Sequence, residues 1–141
     1  MVDERTDLTL RVASEADMVV SRQRARQLAT HIGFSLIDST IIATAISEIA
    51  RNIVNHAGEG EIVISVVRGS GRVGICVVAR DQGPGIPDIE RAMQEGYSSV
   101  GGFGLGLSSA QRLMDEFHLE SRTGLGTTVT MKKWLPSDPM R

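Results

Sequence analysis

The sequence predicts a two-layer α/β sandwich, of the α+β kind, in which helices cover one face of a mixed, mostly antiparallel sheet. Two observations favour this fold class. Strand and helix patterns follow one another in the order β-α-α-β-β-loop-α-β-β, and four of the strand patterns form pairs joined by short glycine turns, which is typical of hairpins. The 141 residues, 41% of them hydrophobic, suit one domain with one core. We expect that domain over residues 1–134 and a flexible C-terminal tail over residues 135–141, which contain two prolines.

The chain begins with a predicted strand and a predicted helix. Residues 6–12 alternate apolar and polar side chains, which indicates a half-buried strand. Ser14 followed by Asp17 resembles a capping box, so a helix should begin there, and Gly33 is a natural helix end.

A second helix and a hairpin follow. Ser35 with Asp38 repeats the start signal, and apolar residues then recur at helical spacing up to residues 57–58, namely Ile42, Ala45, Ile46, Ile49 and Ile53. Residues 61–67 and 73–80 are rich in β-branched side chains and predict a hairpin. The second run is apolar at nearly every position, so it should lie in the centre of the sheet.

The second half of the chain contains a long glycine-rich segment, one helix and a last hairpin. Within residues 81–104, only residues 88–95 have a helical pattern, and a segment of this length in a compact domain is usually functional. A helix is predicted from about residue 105 to residue 116, and a hairpin from residues 119–122 and 127–132.

Composition excludes several classes of protein. A net charge of −2 gives no basic surface for nucleic acid, and no apolar stretch is long enough for a membrane span. The acidic start does not resemble a signal peptide, and the single Cys76 fits a reducing compartment, so we expect a cytoplasmic protein. Lys132 and Lys133 are the only lysines, which excludes a P-loop.

Polar residues on the second predicted helix share one face. Glu48, Asn52 and Asn55 are spaced i, i+4 and i+7. Mg²⁺ usually keeps several water ligands and binds phosphate oxygens, so that a single amide oxygen from the protein suits it. Asn52 is therefore a candidate metal ligand. A carboxylate one turn earlier, that of Glu48, can accept a proton from a hydroxyl group in line with a γ-phosphate. Without further motifs, these residues would be interpreted as a solvated polar face.

Two glycine clusters favour the nucleotide interpretation. In residues 81–86, Asp81 ends a strand and can accept the exocyclic amine of adenine, while Gly83 and Gly85 let the backbone approach a ring next to Ile86. The alternative is an ordinary turn after a strand. The second cluster runs into a helix and offers backbone N–H groups to phosphates; it consists of Gly101, Gly102, Phe103, Gly104, Leu105, Gly106 and Leu107. The alternative interpretation of this cluster is a hinge. Arg51 or Arg112 could neutralise part of the negative charge of the phosphates.

As a set, these motifs resemble the GHKL superfamily, which includes gyrase B subunits, heat-shock chaperones, mismatch-repair ATPases and histidine kinases. Residues 47–52 resemble its asparagine box, residues 81–86 its adenine-binding box, residues 101–107 its lid and residues 126–129 its final threonine element. The likeness covers residues 6–134, and the chain is most similar to stand-alone anti-sigma-type serine/threonine kinases, such as the switch kinases of bacterial stressosomes.

The resemblance implies a Bergerat-type ATP-binding fold with ATP and Mg²⁺ as cofactors. It implies Glu48 as the catalytic base, Asn52 as the metal ligand and Asp81 as the residue that recognises adenine, with Thr127 or Thr128 supporting that contact. The role of Asn55 stays open, and we expect the three histidines to be surface or helix-end residues; they are His31, His56 and His118.

The resemblance also implies partners. It predicts phosphorylation of a Ser or Thr on a STAS-domain antagonist, within a pathway that can include a stressosome-like complex and a downstream phosphatase or regulator. Neither nucleic acid nor a membrane is an expected partner. The alternative function is a nucleotide-regulated anti-sigma or partner-binding module with little or no kinase activity.

Overall fold

A computed structural model describes residues 7–86, 93 and 105–136. In chain order, its elements are β1 (Leu8–Val12), α1 (Glu15–Ile32), α2 (Leu36–His56), β2 (Gly60–Gly69), β3 (Arg72–Asp81), α3 (Leu105–Leu113), β4 (Glu116–Arg122) and β5 (Gly126–Trp134). The helix predicted over residues 88–95 lies outside the described residues. Among the described helices, none combines the length and the apolar character needed to cross a membrane.

The strands form one five-stranded sheet in the order β1-β2-β3-β5-β4. Each neighbouring pair in this order is antiparallel. The central position of β3 confirms the expectation drawn from its apolar sequence, since a central strand is shielded on both sides. The described helices pack on one face, so the predicted two-layer sandwich is confirmed.

The two long helices begin where the sequence predicts. Ser14 accepts a hydrogen bond from the backbone N–H of Asp17 at 3.2 Å, and the Asp17 carboxylate accepts one from the backbone N–H of Ala13 at 2.9 Å. The first bond satisfies a backbone donor that the helix leaves without a partner, and the second fixes the residue just before the helix. At the start of α2, Ser35 accepts a hydrogen bond from the backbone N–H of Asp38 at 3.0 Å, and Gly33 ends α1 with a φ of 114°.

The core lies between α2 and the inner face of the sheet. Eight residues of α2 are buried, because its apolar positions recur on one face over six turns. The facing strand residues alternate with outward-pointing ones and are fully or nearly fully buried; they are Ile62, Ile64, Ile75, Val77, Ala79, Val129 and Met131. This packing fixes the C-terminal half of α2 above the ends of the central strands.

Two predicted boundaries are wrong. α3 ends at Leu113, and β4 already begins at Glu116, three residues before the predicted start of that strand. Phe117 and Leu119 pack against the core, and the residues of β4 that alternate with them are exposed. The alternation typical of a strand therefore begins before residue 119, where the sequence predicted the strand to start. Leu135, the first residue of the predicted tail, donates its N–H to the carbonyl of Val73 at 2.8 Å and packs its side chain against the core, and the bounds of domain and tail stay a prediction.

Candidate functional site

A pocket opens between the C-terminal half of α2 and the edge of the sheet where β3 ends and β5 begins. It encloses about 430 Å³ of empty space, including its mouth toward solvent. A mainly apolar wall with a few polar groups is typical of small-molecule sites. The lining residues are Ile49, Asn52, Ile53, His56, Ala79, Asp81, Pro84, Gly85, Ile86, Leu107, Thr127 and Val129.

Asp81 supplies the carboxylate of the pocket. It is the last residue of β3 and stands opposite Thr127 of β5 in the strand register. Opposed residues of an antiparallel pair point to the same face of a sheet, so both side chains lie on the helix-covered side. The Oδ1 atom of Asp81 accepts a hydrogen bond from the backbone N–H of Gly83 at 2.9 Å. The turn that follows β3 therefore orients this carboxylate.

The strand register distinguishes the two candidate threonines. Thr128 stands opposite Arg80 of β3 and Glu120 of β4, on the face of the sheet away from the helices. There it lines a wide groove with Arg11 and other polar residues. Thr127, not Thr128, therefore shares the pocket with Asp81, a choice that the sequence left open.

Ser121 of β4 extends the row of polar side chains that Asp81 and Thr127 begin. It stands opposite Thr127, and the two hydroxyl oxygens are 2.9 Å apart. Its Oγ accepts a hydrogen bond from the backbone N–H of Ile86 at 2.7 Å and lies 3.3 Å from the carbonyl oxygen of Gly126. Sequence reasoning missed Ser121, because a single serine in a strand has no local pattern to mark it.

Two glycines allow this row to form. Gly126 has a φ of 125°, and a Cβ atom there would collide with the backbone carbonyl of Asp81. Gly85 has a φ of 81°, and its Cβ atom would lie 2.9 Å from the carbonyl carbon of Arg122. Glycine adopts positive φ without steric cost, and its small size permits such approaches. The turn after β3 can therefore lie directly against β4 and β5.

Of the polar residues on α2, Asn52 lies inside the pocket, whereas Glu48 and Arg51 lie beside it. Asn52 lines the pocket, and its amide nitrogen donates to the carbonyl oxygen of Glu48 at 3.2 Å. The Glu48 carboxylate accepts hydrogen bonds from Arg51 at 3.1 Å through both oxygens. Neither Glu48 nor Arg51 lines the pocket, and Arg51 instead borders a shallow groove between α1 and α2.

The last turn of α2 places a histidine, and not Asn55, at the pocket. Asn55 is exposed and does not line it, whereas His56 is half-buried and does. Burial lowers the pKa of His56, and the nearby carboxylate of Asp81 partly opposes this effect. His56 is thus more than a helix-end residue, because it lines the pocket. The sequence indicates this position only through the spacing of four residues from Asn52, which places both side chains on one face of α2.

The second glycine cluster is only partly described. The predicted residues Gly101, Gly102, Phe103 and Gly104 lie outside the described residues, so their assignment stays a prediction. The backbone of α3 begins at Leu105 and includes Gly106, and the side chain of Leu107 is buried against the pocket. Arg112 is exposed near the end of α3 and does not line the pocket.

Comparisons with known proteins agree with this geometry. The profile of the "Histidine kinase-, DNA gyrase B-, and HSP90-like ATPase" family matches residues 37–138. The chain is 48% identical to the serine/threonine-protein kinase RsbT of Bacillus subtilis, over 89% of this chain and 95% of that protein. It is 38% identical to an anti-sigma F factor of a Thermoanaerobacter species, over 69% of this chain and 71% of that protein.

A solved structure also shares the fold. One chain of the SiaB–SiaC complex from Pseudomonas aeruginosa aligns with a TM-score of 0.55 at 10% sequence identity, covering 91% of this chain and 89% of that chain. At this identity the likeness concerns the fold alone. Together, the profile match over residues 37–138 and the relative that is 48% identical over 89% of the chain show that the chain belongs to the histidine kinase-, DNA gyrase B- and HSP90-like ATPase family, the GHKL superfamily, as a homologue of a serine/threonine-protein kinase.

Proposed function

We propose that the protein is an ATP-dependent serine/threonine kinase of a bacterial partner-switching pathway, with a STAS-domain antagonist as its substrate. The observation that carries this proposal is the meeting of Asn52, Asp81 and Thr127 in one pocket, in a chain that is 48% identical to a serine/threonine-protein kinase. These residues come from three elements that are distant in sequence, so their meeting is a property of the fold.

The chemistry of the pocket fits an adenine base. Asp81 would accept the exocyclic amine, because a carboxylate is an acceptor only and its orientation is fixed by the bond from Gly83. Thr127 would contact the same edge of the base. The apolar wall, which includes Ile53 and Val129, suits the faces of a planar ring.

The donor set also fits Mg²⁺ held together with phosphate. The described residues contain no cluster of three or more His, Cys, Asp or Glu side chains that could hold a metal ion by themselves. Asn52 offers one hard oxygen ligand, and Mg²⁺ commonly takes most of its other ligands from phosphate and water. When bound, the ion would neutralise charge on the phosphates. Backbone N–H groups at the start of α3, around Gly106, would meet the remaining phosphate oxygens.

Glu48 is the proposed general base. Its side chain is 22% exposed, and Arg51 contacts both of its carboxylate oxygens, which fixes their orientation. A base must lie within hydrogen-bond reach of the hydroxyl group that it deprotonates, and a partly exposed carboxylate beside the pocket can meet a partner's side chain. We therefore assign Arg51 to the orientation of Glu48 and not to phosphate binding.

A second function deserves a direct comparison, because the chain is also 38% identical to an anti-sigma F factor. In that case the nucleotide would set the conformation of a partner-binding module that has little or no kinase activity. The two functions differ in whether phosphate reaches the partner.

The test uses the full chain, Mg²⁺ and ATP labelled at the γ-phosphate. A STAS-domain protein that co-purifies from the native host serves as the substrate. The kinase function predicts label on a serine or threonine of that partner, stable to acid. A nucleotide-dependent complex without any transfer of label would favour the binding module.

The wider setting follows from the same proposal. A kinase of this class would work in the cytoplasm, where ATP is available and where the buried thiol of Cys76 stays reduced. Its partners would include, besides the STAS-domain substrate, a stressosome-like complex and a downstream phosphatase or regulator. Identification of the proteins bound in the native host checks each of these partners.

A further inference from the structure

The turn after β3, residues 82–86, forms one wall of the pocket, and the hairpin of β4 and β5 holds this wall from outside. Pro84 and Ile86 of the turn line the pocket. The carbonyl oxygen of Pro84 accepts a hydrogen bond from the backbone N–H of Gly124 at 2.8 Å. The backbone N–H of Ile86 donates to the Oγ atom of Ser121 at 2.7 Å. The hairpin therefore fixes the wall at two points.

Ser121 joins three segments of the chain at this place. Besides accepting from Ile86, its hydroxyl group donates to the carbonyl oxygen of Gly126 at 3.3 Å and lies 2.9 Å from the hydroxyl oxygen of Thr127. Gly126 and Thr127 are the first residues of β5. Ser121 does not line the pocket itself. Its side chain can therefore position the wall without contact to a bound molecule.

The bond from Ile86 matters because this residue is buried. Ile86 is 7% exposed, so water does not easily replace a lost partner of its backbone N–H. An unpaired donor in such a place is unfavourable. Without the hydroxyl group of Ser121, the wall would spend part of the time in conformations in which Ile86 leaves its place and its N–H reaches water.

A shift of this kind changes the affinity of the pocket for any ligand. The apparent affinity falls in proportion to the fraction of the protein that has the binding-competent conformation. Ser121 would raise that fraction by holding Ile86 against the hairpin. Because this effect concerns the wall and no particular group of a ligand, its loss should weaken all ligands of the pocket by the same factor.

We propose that Ser121 is a positioning residue for nucleotide binding, which holds the turn after β3 in its binding-competent conformation through the N–H of Ile86. This inference rests on the proposed binding of ATP. It assigns a role to a residue of β4 that belongs to none of the motifs that mark the site in the sequence.

Hydrogen exchange of the Ile86 amide, followed by NMR on the full chain without nucleotide, tests the contact itself. The amide should exchange slowly in the wild-type protein and about tenfold faster in Ser121→Ala, since its hydrogen bond is lost. Ser121→Thr retains the hydroxyl group and should retain slow exchange. Ser21→Ala is the matched control, because Ser21 is buried in α1 and its hydroxyl group bonds to the carbonyl oxygen of Asp17 at 2.8 Å, away from the pocket.

Binding of three ligands, in the absence of any partner, tests the consequence. Calorimetry measures ATP and ADP, and an NMR titration measures adenosine. Ser121→Ala should bind all three about three- to tenfold more weakly than the wild-type protein, by factors that agree within about twofold. Ser21→Ala should keep the wild-type affinities even where it loses stability, so the comparison separates positioning of the pocket from a general loss of stability.

The two measurements together decide the inference. It is overturned if Ser121→Ala keeps slow exchange at Ile86, if it loses slow exchange but keeps its affinities, or if it weakens the three ligands by different factors. Slow exchange with weak binding in Ser121→Thr would overturn it as well. Failure of the wild-type protein to bind any of the three ligands would instead contradict the proposed function, and the exchange of Ile86 would still show whether Ser121 holds the wall.

Discussion

At the scale of single residues, the site depends on polar side chains that stand in one row across three strands. Asp81, Thr127 and Ser121 occupy opposed positions in β3, β5 and β4. The sequence predicts Asp81, because a carboxylate between a buried strand and a glycine turn is a distinct local pattern. It cannot choose between Thr127 and Thr128, because two neighbouring strand residues exchange faces when the register shifts by one.

Asp81→Asn should weaken ATP binding without unfolding the domain. The amide replaces a charged acceptor by a neutral group, and the loss of a charge-assisted hydrogen bond costs about 1.5–3 kcal/mol, or one to two decades in affinity. Calorimetry with ATP measures the change, and Asp7→Asn is the control, since Asp7 is exposed just before β1. An unchanged affinity in Asp81→Asn would remove Asp81 from base recognition.

His56 makes the stability of the domain depend on pH. Its pKa in the folded protein is lowered by burial, against the opposing effect of Asp81, whereas the unfolded chain titrates near the ordinary value of 6.5. The unfolded state therefore binds more protons as the pH falls below about 6.5, and the folded state loses stability there.

Urea unfolding at about pH 7.5 and about pH 5.5 checks this dependence. His56→Gln should show a smaller loss of stability at the lower pH than the wild-type protein. His118→Gln, which changes an exposed histidine on β4, should behave like the wild type. Equal losses in all three proteins would mean that another group causes the pH dependence.

At the scale of elements, helix starts and the central strand were predictable, and the ends of two elements were not. The caps of α1 and α2 depend on serine and aspartate within four residues of each other, so the signal is local. The sequence pattern predicts a helix up to residue 116, whereas β4 begins at Glu116. The pairing of Glu116 with Lys132 of β5 decides the conformation there, and this is a long-range contact.

The start of β5 is the element boundary on which the site depends most. Gly126 and Gly124 both have positive φ, at 125° and 80°. A Cβ atom at Gly126 would collide with the backbone of Asp81, whereas at Gly124 no atom lies within 4 Å. Both alanine variants therefore have backbone strain, of order 1–3 kcal/mol, and only Gly126→Ala adds a collision at the pocket.

Gly126→Ala should accordingly lose more stability than Gly124→Ala and should also weaken ATP binding. Urea unfolding compares the free energies of unfolding, and calorimetry compares the affinities. Gly124→Ala should retain the affinity of the wild-type protein. If the two variants are equally stable and bind ATP equally, the close approach of β5 to Asp81 is not required for the site.

At the scale of the whole molecule, the pocket is assembled from segments that only the fold brings together. Asn52 lies on α2, Asp81 at the end of β3 and Thr127 at the start of β5. The motifs in the sequence identify the family and most of the polar residues. They do not show that Glu48 and Arg51 form an ion pair beside the pocket and not inside it, because helical spacing gives a face but not its neighbours.

The central claim is that this pocket serves a phosphoryl transfer in which Glu48 is the base. The most direct measurement compares ATP affinity and single-turnover transfer to a STAS-domain partner for the wild-type protein and Glu48→Gln, with Glu15→Gln on the exposed start of α1 as the control. The amide retains the shape of the side chain but cannot accept a proton. We predict that Glu48→Gln keeps its ATP affinity within a few-fold and transfers phosphate about 10²–10⁴-fold more slowly. Transfer by Glu48→Gln at the wild-type rate, or the absence of transfer by the wild-type protein, would contradict the account.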